Sequence, residues 1–285
     1  YRSFYENGEV GLTSVYQNDV MEGEYKKFSK KGALLEKKYF KNGALEGLFT
    51  SYFPVGAEAL EYHIPYENNL IGEKAMEYYS NGEIFSEMLF QNGERNGVTR
   101  KYHANKEKLA EISYVNGELN GPYKTYHKKG NLSEEGQSVG NYYDGSWKTY
   151  YSDGTLQSDF TYDKGYQNGP YVYYDTDGKP YYEYIYKKGE IIAYTFYDKT
   201  GKVLKEAKKK GGEFMYESYA PNGNKTSEGL YDISGGKMGE WKFYTVNGTL
   251  NDKGQYIDNL TQGEYIRYFK TGKPPSLSTY KNYSL

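Results

Sequence analysis

The sequence predicts an all-β fold, an elongated single-layer antiparallel β-meander of about twelve two-stranded repeats. Three observations predict it. A glycine and aromatic frame returns about every 24 residues along the chain. Gly and Asn punctuate the sequence every ten to twelve residues, which leaves no room for a helix of ordinary length. The chain is 18% aromatic while its apolar residues together reach only 37%. That is too little aliphatic material for a thick core and too many rings for a disordered chain.

The repeat is clearest where Gly121–Gly130, Gly145–Gly154 and Gly169–Gly178 share one template: Gly at position zero, an aromatic at two, an aromatic at five and Gly at nine. Position five is aromatic in all twelve units, from Phe4 and Phe28 through Tyr126 to Tyr268. Position nine is Gly in every unit except one, where Lys106 stands. Position two carries a ring except at Ala75 and Thr99. Eight residues after the turn glycine a further ring is favoured, as at Tyr16, Phe40, Tyr114 and Tyr162, and it marks a second strand in each unit. The turn between the strands needs positive φ at Gly, and Asn42-Gly43, Asn92-Gly93 and Asn116-Gly117 suit type I′ turns at the far end. Connections this short cannot make parallel crossovers, so consecutive strands pair antiparallel.

Positions two and five differ by an odd number and point to opposite faces of an unbulged strand, so both faces carry rings. The whole chain, 1–285, reads as a single array with two disturbances. The frame gains residues near Gly72 to Ala75 and loses a few between Gly178 and Gly223. The stretch Lys205 to Gly212 makes 201–214 the expected place of a bend or of a plain solvated turn. Tyr1 already stands at position two, so a preceding repeat is expected, and Pro274-Pro275 with Lys281-Asn282 suits a blunted edge strand.

A formal charge of −2, from 36 basic and 38 acidic residues, offers no field to draw in a polyanion, so nucleic acid is not expected as a partner. The absence of Cys excludes disulfides, thiolate metal sites and cysteine nucleophiles. No apolar run is long enough for a membrane-spanning helix. The start without Met and the lack of Cys lean towards an exported or cell-surface location.

The Gly-x-aromatic-x-x-Tyr-x-x-x-Gly unit, followed by a second strand and an Asn-Gly turn, resembles the MORN repeat variant of bacterial proteins similar to the YwqK-type antitoxin family. The resemblance runs from Tyr1 to Tyr280. It implies a sheet of two-stranded units that serves as an interaction module, with roles in such proteins that include toxin neutralisation, membrane tethering and scaffold assembly. No catalytic residue is carried over by it.

Catalytic and cofactor chemistry finds no constellation in the residues. His103 and His127 share position six of consecutive repeats, which puts them too far apart to ligate one metal ion and marks an ordinary polar ladder position. The carboxylates read as evenly scattered, and no loop is built to cradle phosphate. No enzyme activity and no cofactor are therefore expected. The strongest candidate is the aromatic surplus between Tyr142 and Tyr186. Tyr143, Tyr151, Tyr173, Tyr181 and Tyr182 exceed the template, and with Trp147 they form the expected partner-binding set. A protein partner is the expected ligand, with attachment to a membrane or a cell-wall glycan as the alternative.

Overall fold

The computed structural model describes residues 1–54, 59–232, 234–269 and 276–283. The turn glycines Gly56 and Gly272 and the pair Pro274-Pro275 lie outside the described residues. Within them the chain forms 27 β-strands and no helix. The fold is an open, all-β antiparallel meander in which each strand pairs with its sequence neighbour.

The contacts divide the chain into two units, Tyr1–Tyr142 and Tyr143–Leu285. In the first, Lys108–Val115 pairs with Glu118–Tyr126, which in turn pairs with Leu132–Val139. The same succession carries the second unit from Tyr142–Tyr150 to Val203–Lys208. A separate six-stranded sheet starts at Phe214–Tyr219 and ends at Ser276–Tyr283.

Both kinds of turn follow from their residues. In the first, Gly154 donates its N–H to Tyr151 O at 2.9 Å and Tyr151 donates to Thr155 O at 2.8 Å. This closure requires a left-handed residue at position nine, where φ is 93° at Gly154 and 87° at Gly130. Lys106 takes the same conformation with φ 70°, so the one exception in sequence is no exception in backbone. The far turns are two-residue turns with both φ positive, 48° and 81° at Asn116-Gly117, as type I′ demands.

Successive far turns are also tied together. Gly43, Gly117, Gly165 and Gly189 donate their N–H groups to the carbonyls of Met21, Arg95, Tyr143 and Gln167. Beside these bonds, the side chains of Glu22, Glu46, Asp144 and Asn168 accept from the N–H groups of Asn42, Asn68, Lys164 and Lys188 at 2.6 to 3.3 Å. The turns thus make a hydrogen-bonded ladder of their own, and it satisfies donors the hairpin geometry leaves over.

Positions two and five lie on opposite faces, and the partner strand carries a bulge beside position five. Between positions four and five the register slips in repeat after repeat, as at Thr125/Tyr126, Thr149/Tyr150 and Tyr173/Tyr174. Position two faces the packed side, where Trp147 is 0%, Trp241 1% and Tyr194 2% exposed. Ala75 and Thr99, which lack rings, are covered there too, and Arg95 lies nearby, against Met88 and the ring of Tyr114. Position five faces the charged side. There the hydroxyls of Tyr102, Tyr126 and Tyr244 donate to the carboxylates of Glu87, Glu111 and Glu228 at 2.6 to 3.1 Å.

Candidate functional site

The candidate surface lies on the packed face of the second unit. Its rings run as a ladder because positions two, four and thirteen of neighbouring strands face the same way. Tyr143 lies 4.0 Å from Trp147, Phe160 lies 5.2 Å from Tyr171, and Tyr171 stacks on Tyr182 at 6.1 Å with 8° between planes. The closest parallel pair is Tyr173 on Tyr182, 5.0 Å apart and 2° from coplanar. Towards the six-stranded sheet the ladder closes into a core of Tyr194, Phe196, Phe214, Tyr216 and Trp241.

That core bridges the interruption between Val203–Lys208 and Phe214–Tyr219. The Tyr184 and Tyr216 hydroxyls meet at 2.7 Å. Tyr194 donates its hydroxyl to Met215 O at 3.3 Å and accepts the Glu217 N–H at 3.0 Å, so one side chain serves two backbone groups of the edge strand. Burial pushes the hydroxyls of Tyr182, Tyr184 and Tyr216 well above the usual phenol range, so they remain neutral donors at physiological pH. At the far end Lys237 Nζ sits 4.9 Å above the Trp241 ring and 5.4 Å above that of Tyr256, and burial lowers its pKa.

The surplus rings expected at the site are sorted by this geometry. Trp147 leaves the partner-binding set, because neighbouring rings cover it completely and it holds the sheet together. Tyr143, beside it, is half-buried against that indole. Tyr151, Tyr173, Tyr181 and Tyr182 come together as one half-exposed cluster. Tyr151 donates to Tyr174 O at 2.8 Å and lies 3.2 Å from the Tyr173 hydroxyl, while Tyr181 is within 5.2 Å of Tyr182 and 6.1 Å of Tyr173.

Strict alternation would send Tyr181 and Tyr182 to opposite faces. The bulge decides otherwise: Tyr173 pairs with Tyr182 and Tyr174 with Pro180, which leaves Tyr181 unpaired and turned towards the same cluster. Gln157 occupies the equivalent bulge one repeat earlier, with its amide 3.5 Å from the Tyr173 hydroxyl. The cluster therefore offers flat ring faces with hydroxyls and an amide at their margin, a surface suited to large, rigid contacts.

The carboxylates correct the reading of even scatter. Glu87, Glu111, Glu135 and Asp159 recur at one position, fifteen residues before a position-five tyrosine. Glu111 joins Tyr126, Lys108 and Arg100, and the Tyr126 bond followed by the Lys108 bond holds its carboxyl below the usual range. The missed signal was periodicity in an acid, masked by the louder periodicity of the rings. His103 bonds to Tyr126 O at 3.2 Å, the use that position six also makes of Tyr5 and Tyr151. Among the described residues, no group of three or more His, Asp or Glu is placed to hold a metal ion.

With this geometry in place, likeness to known proteins becomes informative. Five segments match the MORN repeat variant. They are 21–42, 74–92, 119–139, 143–164 and 167–188, and the last two contain the whole tyrosine cluster. No curated protein matches the chain. Among solved structures, the chain is similar to the TcdB2-TccC3 complex without its hypervariable C-terminal region, at 11% identity, with 94% of this chain and 16% of that chain covered and a TM-score of 0.19. It is also similar to the Photorhabdus luminescens Tc holotoxin pore, at 10% identity, with 96% of this chain and 20% of that one covered and a TM-score of 0.17. The chain thus spans a fifth or less of the length of either structure.

Proposed function

We propose that the chain is a non-catalytic, protein-binding scaffold that captures its partner on the tyrosine cluster of the second unit, in the manner of an antitoxin or immunity protein. The carrying observation is the grouping of Tyr151, Tyr173, Tyr181 and Tyr182 on one face, half-exposed and braced by the buried ladder behind them. Tyrosines held this way lose little conformational entropy on binding and present both apolar area and hydroxyls, which is what interface hot spots consist of. The MORN repeat variant segments that contain the cluster support a scaffold reading.

The test is affinity purification from the native source with the unaltered chain, with Tyr173→Ala, with Tyr181→Ala, and with Lys148→Ala on the charged face as control. A partner retained by the control and lost from both tyrosine variants, all three remaining folded, is the expected result. Equal recovery with all four proteins removes the cluster from the binding role.

A further inference from the structure

Between the turns at Asn42-Gly43 and Lys188-Gly189 the far-turn ladder is regular except at one place. At Asn92-Gly93 the rung is missing: Gly93 has no counterpart of the bonds made by Gly43, Gly117, Gly165 and Gly189. The side-chain cap is missing as well, because Gly72 stands where the neighbouring repeats carry Glu46 and Asn96. This is also where the 24-residue frame gains two residues. The Gly72 backbone keeps the bond that Glu46 and Asn96 make to Tyr39 O and Leu89 O, donating to Pro65 O at 2.8 Å, so only the side chain is lost. A Cβ on Gly72 would lie 3.1 Å from the Pro65 ring. A notch of about 690 Å³ is lined by residues of the turns at Asn68-Asn69 and Asn92-Gly93 and of the strands beside them.

The lining has a definite chemistry. Amides are contributed by Asn68, Gln91, Asn92 and Asn96, and carboxylates by Glu67 and Glu73. Leu70, Ile71, Leu89 and Phe90 add apolar side chains to the lining, and no Lys or Arg lines the notch. An anion would find no counter-charge there. Hydroxyl groups, each both donor and acceptor, match amides, carboxylates and the turn N–H groups together, while the C–H face of a sugar ring suits the apolar side chains among them. We propose that this notch is a binding subsite for a neutral saccharide of one or two rings. It lies in the first unit, apart from the tyrosine cluster, and stands whether or not that cluster binds protein.

The experiment is a titration of the isotopically labelled chain with cellobiose and with N,N′-diacetylchitobiose, followed by backbone amide shifts, with ethylenediamine as a cationic probe. One disaccharide is expected to move the amides of Asn92, Gly93 and Asn96 and to leave the equivalent turns at Asn116-Gly117 and Lys188-Gly189 in place. Glu73 and Gln91 are exposed, so a Glu73→Ala/Gln91→Ala variant keeps the fold. It should weaken binding about fivefold or more, the equivalent of one lost hydrogen bond. The proposal falls if neither sugar moves these amides, if every far turn responds alike, if the double variant binds as tightly, or if only ethylenediamine binds.

Discussion

At the scale of single residues, two positions show how tightly the repeat constrains its chemistry. Gly229 lies under the Trp241 indole, and a Cβ there would meet the ring at 2.2 Å. The indole is 1% exposed and its Nε1 donates to Leu230 O at 3.0 Å, so it cannot move aside. Gly229→Ala should therefore destabilise the protein by about 3 kcal/mol, read as a lower urea midpoint with an unchanged slope. Lys106 is the opposite case. Its left-handed backbone, with φ 70°, carries a penalty of about 1–2 kcal/mol that glycine would not. Its ion pair with Glu83 is at the surface and contributes little. After the extra backbone entropy of glycine in the unfolded chain, Lys106→Gly should raise stability by about 0.5 kcal/mol, and a fall in melting temperature would contradict that.

At the scale of the element, the hairpin is stapled to its predecessor on both faces. On the packed face the staple is ring on ring. On the charged face it is a position-five hydroxyl on a carboxylate of the preceding repeat, as in Tyr126 on Glu111 at 2.7 Å. Tyr126 is half-buried, so the value of this staple lies in its hydrogen bond as much as in its area. A double-mutant cycle with Tyr126→Phe and Glu111→Gln should return a coupling of about 1 kcal/mol. Because the native Glu111 carboxyl titrates below its unfolded value, its contribution is complete above the unfolded pKa and is lost as pH falls through the folded one. The coupling measured in acid should accordingly be smaller than at neutral pH.

At the scale of the whole molecule, the tyrosines set the response to alkali. Burial and the Glu111 bond push Tyr126 up to about 12, burial and the Glu228 bond do the same to Tyr244, and burial among rings raises Tyr186 to about 12. A folded pKa above the unfolded value of about 10 means stability that is complete below pH 10. It is lost as pH rises from there through 12. Tyrosinate absorbance at 295 nm should rise in two stages, the exposed rings first and the ladder only with the loss of β-sheet ellipticity. A single stage near pH 10 with the sheet intact would show that the ladder is not buried in solution.

The sequence by itself determined the antiparallel hairpin repeat, its two kinds of turn and the opposite placement of positions two and five, because period-two alternation and positive-φ residues are local rules that each repeat states again. It also determined where the frame slips, near Gly72 to Ala75. Only the tertiary structure decided that Trp147 is core, that Tyr181 joins Tyr182 on one face, and that scattered acids form a line against the position-five tyrosines. Those outcomes depend on a bulge and on neighbours about one repeat away, and alternation read along a single strand carries no information about either.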